Sequence, residues 1–394
     1  MASAALGRLA CQRNSFLKDI SAKVVSCVRA VDAGSNDFDV VCDDSVLFPE
    51  GGGQPGDTGS LIFSNDFAKT VPVIKTFTQD GKCVLRTSQE MKVGDEVRMQ
   101  VDWARRLDHM QQHSAQHLIS AIAKKTLDLN TTTWSLGVSR CNVEFDSTAV
   151  SSAQLDALEA EVNDVIAAAR PVSFHYKDAD SDVRIVVIDG LDMNPCCGTH
   201  VQHTGQLQAI KFLHSEVARG CTRVWFLAGR RVLTEFASMF ERERQATKLW
   251  SCPPEEHIER LQKLLQAQSI AAKESKAVRL ELAELLAARL ATECTDTHVA
   301  VLHRADGDAA FLQAVAAAFN ARVADKVLFV TAGATTGEGF FLLTGPEAFV
   351  TAHGKTVAAQ LEGKGGGRKG VFQGKAKALA NVPAVHAFLQ ATQK

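Results

Sequence analysis

The sequence predicts an α+β protein with a β-barrel-like N-terminal module, an α+β central domain, a long helical spacer and a small C-terminal α/β domain. Short β-branched runs separated by Gly, Asp and Pro occupy residues 22–101 and predict the barrel-like module. Helical and strand patterns then mix without a regular βαβ alternation, which is typical of α+β folds. The 394 residues, 46% of them hydrophobic, are enough for two or three packed cores.

The predicted elements divide the chain into four segments. Residues 1–102 form the barrel-like module, where runs such as DVVCDDSVLF and VPVIKTF lie between turn residues. Residues 103–249 begin with a helix predicted over 105–127, because apolar residues recur there at helical spacing, and continue with strands and further helices. This segment contains all the histidines and cysteines that we single out below as metal ligands.

The second half of the chain contains the other two segments. Residues 250–292 contain a Pro-Pro pair, 253–254, that opens one long predicted helix. Its apolar stripes are of the coiled-coil type and are interrupted at 267–276. Residues 293–394 combine strand runs such as KVLFVTA with an Ala-rich helix and a Gly-rich loop, GKGGGRKG. They predict a small α/β domain.

Composition excludes several classes of protein. Ten cysteines, two of them adjacent, show no disulfide framework, so we expect a reducing, cytoplasmic compartment. No apolar run approaches the roughly 18 residues of a membrane helix, and we expect no membrane partner. The N-terminal stretch MASAALGRLACQRNSFLK is basic and lacks acids, which is also compatible with a mitochondrial presequence.

The net charge of −2 argues against a surface covered with basic residues, but it hides a local excess of cations. Lys364, Arg368 and Lys369 lie around the glycines of the C-terminal loop in a stretch with few acids. One interpretation is a solvated, mobile loop; the other is a phosphate-binding surface, because glycines let backbone and cations follow a nucleic-acid strand.

Two pairs of potential metal ligands are the most specific chemical signal. His113 and His117 lie four residues apart in HSAQH, which places both imidazoles on one face of the predicted helix. Cys196 and His200 form a second pair at the same spacing in the loop NPCCGTH. Together they make a Cys-His₃ set that favours one Zn²⁺ per chain, because thiolate and imidazole suit tetrahedral zinc.

Either pair alone is also typical of ordinary surface or core residues. His109, Cys197 and His203 lie close by in the sequence, and only three-dimensional geometry can separate them from the four chosen ligands.

A Gly-rich segment, LFPEGGGQPGDTG, is the other unusual motif. Gly51, Gly52 and Gly53 allow a ligand to approach the backbone closely, and Gln54 supplies a fixed polar group. The alternative is a tight turn between two strands. The segment is not a P-loop, because no Lys-Ser/Thr pair follows it.

LFPEGGGQPGDTG, HSAQH and CCGTHV, in this order, resemble the editing domain of alanyl-tRNA synthetase and its free-standing relatives, the AlaX proteins. The resemblance covers about 22–230, and the long helix and GKGGGR resemble the C-terminal domain of the synthetase. The resemblance is strongest to the long free-standing AlaX proteins. The central segment is therefore expected to be a zinc-binding editing domain.

The resemblance implies roles for individual residues. It assigns the zinc to His113, His117, Cys196 and His200, and it assigns the shape of the substrate pocket to the loop 51–54. Gln116 departs from the family pattern, in which Thr usually precedes the second histidine, and we include it among the substrate-binding residues.

The resemblance also implies the reaction, hydrolysis of tRNA(Ala) that carries the wrong amino acid, Ser and also Gly. Only residues 1–46 precede the Gly-rich motif, so we expect no aminoacylation region and a reaction in trans. Rejecting alanine requires a polar partner for the serine hydroxyl. Zinc-bound water is the expected nucleophile, but the zinc could instead polarise the ester carbonyl or, if all four protein ligands stay bound, mainly position the substrate. No carboxylate stands out as a general base, since Asp57, Asp189 and Asp192 are better interpreted as turn residues.

Two other functions stay open on the sequence. One is a zinc-stabilised tRNA-binding module without catalysis, since four protein ligands are typical of structural zinc. The other is a deacylase of another aminoacyl-tRNA, because the editing domain of threonyl-tRNA synthetase shares both ligand pairs. The resemblance further implies tRNA binding by Lys364, Arg368 and Lys369, a homodimer through the spacer or the C-terminal domain, and the ATP binding of synthetases in general.

Overall fold

The structure is a computed structural model that describes residues 3–31, 36–178, 181–294, 297–335 and 337–392. The chain divides into two units, Met1–Gln245 and Ala246–Lys394. Each unit has its own sheets and its own hydrophobic cores.

The first unit begins with a closed antiparallel barrel of six strands in the order β1-β2-β5-β4-β3-β6. A short helix precedes it, and the elements are α1 (Ala10–Arg13), β1 (Asp19–Arg29), β2 (Phe38–Cys42), β3 (Gly59–Phe63), β4 (Asp66–Gln79), β5 (Lys82–Thr87) and β6 (Glu96–Val101). Pairing of β1 with β6 closes the barrel. Burial alternates along β6, so that Val97, Met99 and Val101 face the inside. The predicted barrel-like module is therefore confirmed.

The rest of the first unit mixes helices with two small sheets, as the α+β prediction requires. Its elements are α2 (Trp103–Leu127), β7 (Thr131–Ser135), β8 (Cys141–Phe145), α3 (Ser152–Ala167), β9 (Val172–Tyr176), β10 (Arg184–Ile188), β11 (Asp192–Pro195), β12 (Ile210–Ala218), β13 (Cys221–Ala228) and α4 (Arg230–Trp250). One sheet has the order β12-β13-β8-β7 and the other β11-β10-β9. Helices α2 and α3 share a core with the larger sheet.

Helix α2 begins where Asp102 caps it by accepting a hydrogen bond from the backbone N–H of Arg105, and it ends at Asp128 in the left-handed conformation (φ 53°). Its buried face includes polar residues, which is unusual for a core helix. Gln112 donates to the carbonyl of Ala228, and Gln111 donates to that of Gln206. These bonds orient the helix relative to the elements around it.

A buried ion pair joins the barrel to α2. Arg106 and Asp57 are both fully buried, and Asp57 accepts hydrogen bonds from the Arg106 guanidinium and from the backbone N–H of Phe48. Removing one partner of such a pair costs about 3–5 kcal/mol, because the other charge stays buried. Asp57 therefore has a structural role within the Gly-rich motif, and its interpretation as a turn residue was wrong, because its carboxylate is buried against Arg106.

The second unit contains a five-stranded sheet in the order β14-β15-β16-β18-β17, with helices on both faces. Its elements are α5 (His257–Glu293), β14 (Val299–Arg304), α6 (Ala309–Asn320), β15 (Val327–Gly333), β16 (Gly339–Thr344), α7 (Glu347–Gln360), β17 (Lys364–Arg368), β18 (Val371–Ala376) and α8 (Val382–Ala391). Residues of α5 and α6 pack on one face of the sheet, and those of α7 and α8 pack on the other.

Helix α5 runs from His257 to Glu293, as the predicted long helix requires, and the interruption of the apolar stripes at 267–276 does not break it. The prediction of a Gly-rich loop was wrong. The segment GKGGGR is an edge strand rather than a loop, and Lys369 and Gly370, both with positive φ, form the two-residue turn to β18. Glycine is needed in this strand because a Cβ at Gly365 would lie 2.9 Å from the Phe372 ring.

None of the described helices is long and apolar enough to cross a membrane.

Candidate metal centre

The structure brings the two predicted ligand pairs together. His113 and His117 project from α2, and Cys196 and His200 lie in the loop after β11. Their donor atoms all lie within 4.8 Å of one another, and Cys196 Sγ is 3.5 Å from His113 Nε2 and 3.2 Å from His200 Nε2. Tetrahedral bonds of about 2.0–2.3 Å would separate the donors by roughly 3.3–3.7 Å. The cluster could therefore hold a metal ion, and its donors suit zinc.

Each imidazole has a polar partner on its outer nitrogen. Gln54 Oε1 lies 2.9 Å from Nδ1 of His113, and Ser114 Oγ lies 3.0 Å from Nδ1 of His200. Asp192 Oδ2 lies 3.8 Å from Nδ1 of His117. Such partners are the usual means of orienting a histidine ligand, so this arrangement is a second observation that fits a metal.

The electrostatics favour the metal-binding protonation states of Cys196, His113 and His200, but not that of His117. Burial works against the Cys196 thiolate, but the neighbouring His200 and His113 imidazoles lower the pKa of Cys196 far below its ordinary value. Burial lowers the pKa of His200 to about 3 and also lowers the pKa of His113. Burial opposes the charge on His117, yet the neighbouring Asp192 carboxylate and Cys196 thiolate raise its pKa to about 9. A cation bound here would displace that proton.

The loop that carries Cys196 and His200 is held by Arg184, a residue that the sequence analysis missed. Arg184 is buried, its Nε donates to the carbonyl of Cys196 at 3.3 Å, and its Nη2 donates to the carbonyl of Gly198. The signal in the sequence was weak, a single arginine within the strand run VRIVVI.

Gly198 explains the glycine of CCGTH. A Cβ there would overlap the His113 imidazole and lie 2.8 Å from Gln54 Oε1. The loop can approach α2 this closely only without a side chain at this position.

A cavity of about 660 Å³ lies over the cluster. Of the predicted substrate-binding residues, Gly52, Gly53 and Gln116 line it. Trp134 also lines it, and its indole lies 5.0 Å, centroid to centroid, from the His113 ring. Thr131, Thr132 and Thr133 complete the wall beside Trp134. None of these four β7 residues was predicted as a pocket residue, because a Thr-rich strand is ordinary.

Two of the predicted pocket residues lie elsewhere. Gly51 lines a neighbouring cavity, and Gln54 is fully buried behind His113 rather than facing the cavity. Gly52 and Gly53 adopt positive φ, and Gly51 pairs with Gln54 across this turn, which directs the Gln54 side chain inward. The loop is thus a tight turn that also borders the cavity.

The structure changes the interpretation of one of the acidic residues near the site. Asp192, interpreted above as a turn residue, lines the cavity and contacts His117. This interpretation was wrong, because β11 brings the carboxylate back to α2. Asp189 lies in a turn, as expected.

The alternative ligands do not belong to the cluster. His109 is buried four residues before His113, and burial lowers its pKa to about 4. Cys197 is exposed, with its sulfur near Gly51 and Gly52, and His203 lies just before a short 3₁₀ helix. Geometry therefore selects Cys196 over its neighbour.

The three predicted tRNA contacts lie in the second unit. Lys364 and Arg368 are the two ends of β17, and Lys369 is in the turn that follows. All three side chains are exposed.

Comparison with known proteins identifies the family. Residues 183–224, which include the cysteine-containing loop, match the family model described as the threonyl and alanyl tRNA synthetase second additional domain. The chain is 37% identical to the alanyl-tRNA editing protein Aarsd1 of Rattus norvegicus, over 96% of this chain and 97% of that protein. It is 27% identical to the alanyl-tRNA editing protein AlaX-L of Pyrococcus horikoshii, over 93% and 94%. This chain belongs to the family of alanyl-tRNA editing proteins.

Proposed function

We propose that this protein hydrolyses the ester of mischarged tRNA(Ala) in trans, with Ser-tRNA(Ala) as its main substrate and Gly-tRNA(Ala) as a second one. The observation that carries the proposal is the His/Cys cluster at the base of an open cavity of about 660 Å³. This volume lies within the ~300–1,000 Å³ of small-molecule sites and suits the aminoacylated end of a tRNA. The names of the relatives support alanyl-tRNA editing as the activity.

His113, His117, Cys196 and His200 would hold one Zn²⁺. The chemistry that zinc supplies in such a site is polarisation of a carbonyl and activation of water. The chain itself contributes the orientation of the ligands through Gln54 and Asp192, and the Asp192 carboxylate beside His117 provides a group that can accept a proton.

Recognition of serine would use a chain of hydrogen bonds along the cavity wall. Gln116 Nε2 donates to Ser120 Oγ at 2.9 Å, and Ser120 Oγ lies 2.6 Å from Thr131 Oγ1. These groups offer partners to the hydroxyl of a serine ester. A serine ester can add a hydrogen bond to this chain through its hydroxyl, and an alanine ester cannot.

The test is deacylation of seryl-, glycyl- and alanyl-tRNA(Ala), with threonyl-tRNA(Thr) and seryl-tRNA(Ser) as controls. We expect hydrolysis of the first two, no hydrolysis of alanyl-tRNA(Ala), and loss of activity after removal of metal with a chelator. Binding of all forms without hydrolysis would favour the non-catalytic module. Preferred hydrolysis of threonyl-tRNA(Thr) would favour the other deacylase.

We further propose that Lys364, Arg368 and Lys369 contact tRNA phosphates, because all three are exposed cations on one edge strand and its turn. Charge reversal of all three should weaken binding of cognate and non-cognate tRNA equally. ATP binding forms no part of the proposal, because ester hydrolysis needs no nucleotide. A homodimer through the spacer or the C-terminal domain stays a prediction, which the exposed Leu264, Val278 and Leu285 of α5 favour.

A further inference from the structure

A second cavity, of about 320 Å³, lies in the C-terminal unit. The α6 residues Ala309 and Leu312 border it on one side, and Phe340 and Leu342 of β16 border it on another. Its remaining walls come from β17 and β18. We call it the Lys-pair cavity, after Lys364 and Lys375. It lies outside the metal centre and within one unit of the structure.

The strand register places three of its side chains in one row. Phe340 is paired with Lys375 between β16 and β18, and Lys375 is paired with Lys364 between β18 and β17. Residues directly opposite each other in antiparallel strands point to the same face, with Cα atoms about 4.5–5.5 Å apart. The row therefore consists of one aromatic ring followed by two ammonium groups.

The strand register places the two lysines, which carry like charges, directly opposite each other. Like charges directly opposite across a sheet are destabilising. The ion pairs of the described part of this unit involve other residues, and neither lysine amine has a carboxylate partner there. An anion between the two amines would remove this repulsion.

The rest of the cavity suits a planar, apolar group attached to that anion. Phe340 is half-buried, so part of its ring is open to a ligand. Gln373 lines the cavity, and its Oε1 accepts a hydrogen bond from Gln313 Nε2 at 2.9 Å, which leaves the Gln373 Nε2 as a donor for a polar edge. The volume is at the lower end of the ~300–1,000 Å³ typical of small-molecule sites and is suited to one such unit.

We propose that the Lys-pair cavity binds one unstacked nucleotide, with its phosphate between the amines of Lys364 and Lys375 and its base against the ring of Phe340. Stacking on an aromatic ring and pairing with cations are the general means of binding single nucleotides without strong sequence preference. The nucleotide is either part of an RNA or free. The site is independent of the proposed hydrolysis, since it uses no residue of the metal centre.

The experiment measures binding of the full chain to the four nucleoside 5′-monophosphates, to inorganic phosphate and to the nucleosides by calorimetry. We expect the monophosphates to bind more tightly than phosphate or nucleoside. Phe340→Leu should weaken binding at least fivefold, since base stacking accounts for a factor of roughly 5–150. Lys375→Gln should weaken binding similarly. The matched control is Lys355→Gln, which removes an exposed cation from α7 on the opposite face of the sheet and should leave binding unchanged.

A second measurement separates a binding role from a structural one. Lys375→Gln should raise the unfolding temperature of the ligand-free protein, because it removes the repulsion with Lys364, while it lowers nucleotide affinity. The metal centre should keep its rate of deacylation at saturating substrate in the same variant, so that a failure of this proposal is distinct from a failure of the proposed function.

Competition identifies the source of the nucleotide. If monophosphates displace tRNA from the protein, the Lys-pair cavity binds a nucleotide of the tRNA. If monophosphates bind while the tRNA affinities of Lys375→Gln and Lys355→Gln are equal, the cavity binds a free nucleotide. The proposal is overturned if no monophosphate binds saturably and tRNA affinity is the same in Phe340→Leu, Lys375→Gln and Lys355→Gln. It is equally overturned if inorganic phosphate binds as tightly as the monophosphates.

Discussion

Replacing Gln54 by Leu should disrupt the metal centre although Gln54 is not a ligand. Gln54 is fully buried, and its Oε1 lies 2.9 Å from His113 Nδ1 and 3.0 Å from the backbone N of Thr199. Its Nε2 donates to Thr199 Oγ1 at 2.8 Å. One side chain therefore connects the Gly-rich loop to both halves of the ligand set.

The magnitude follows from the groups that Leu would leave unpaired. A buried donor without a partner costs about 1–3 kcal/mol, and the substitution strands two such donors, on His113 and Thr199. We therefore expect the free energy of unfolding to fall by about 2–6 kcal/mol. Metal affinity should fall by roughly 10–100-fold, because His113 loses the partner that orients it.

The assay is urea unfolding together with competition for zinc by a chromophoric chelator. Gln54→Glu should retain most of the zinc affinity, since a carboxylate can accept both hydrogen bonds that Gln54 Oε1 accepts. Gln116→Leu is the control, because Gln116 lines the cavity and bonds only to Ser120 among its described partners. If Gln54→Leu binds zinc within twofold of the unchanged protein and unfolds at the same urea concentration, the inference that Gln54 positions His113 is refuted.

Three further predictions concern the same unit. Alanine at any one of the four cluster residues should lower the zinc content and abolish most deacylation. Cys197→Ala should change the zinc content little. If metal analysis shows zinc loss in Cys197→Ala but not in Cys196→Ala, Cys197 rather than Cys196 is the ligand. Gly53→Val should lower deacylation but keep zinc, because its side chain would meet the Trp134 indole at 2.6–3.1 Å, and Gly81→Val is a control with similar positive φ but open space. Burial lowers the pKa of His109 from 6.5 to about 4, so the unfolded chain takes up a proton before the folded one and roughly 3 kcal/mol of stability is lost as pH falls between these values. Urea unfolding at several pH values should show this loss, and His109→Gln should remove it; an equal pH dependence in both proteins would contradict the assignment.

Local periodicity in the sequence determined much of the fold. The barrel strands and α2 were predictable because side-chain alternation and helical spacing are properties of neighbouring residues. For the same reason the first ligand pair was recognisable, since a spacing of four residues on a helix places His113 and His117 on one face whatever the rest of the chain does.

The sequence did not reveal which residues surround the four predicted ligands, because the contacts to these ligands join residues far apart in the chain. His113 and Gln54 are 59 residues apart and Gln54 and Thr199 are 145 apart, so only tertiary packing made Gln54 a positioning residue rather than a pocket residue. The same holds for Arg184 and Asp192. Packing also decided that GKGGGR forms a strand, because exposed glycines alone predict a loop. In the structure these residues pair with β18, and Phe372 approaches Gly365 so closely that a side chain there would not fit. Local spacing thus determined which residues can bind a metal, and long-range contacts decided which residues hold them in place and which ones face the cavity.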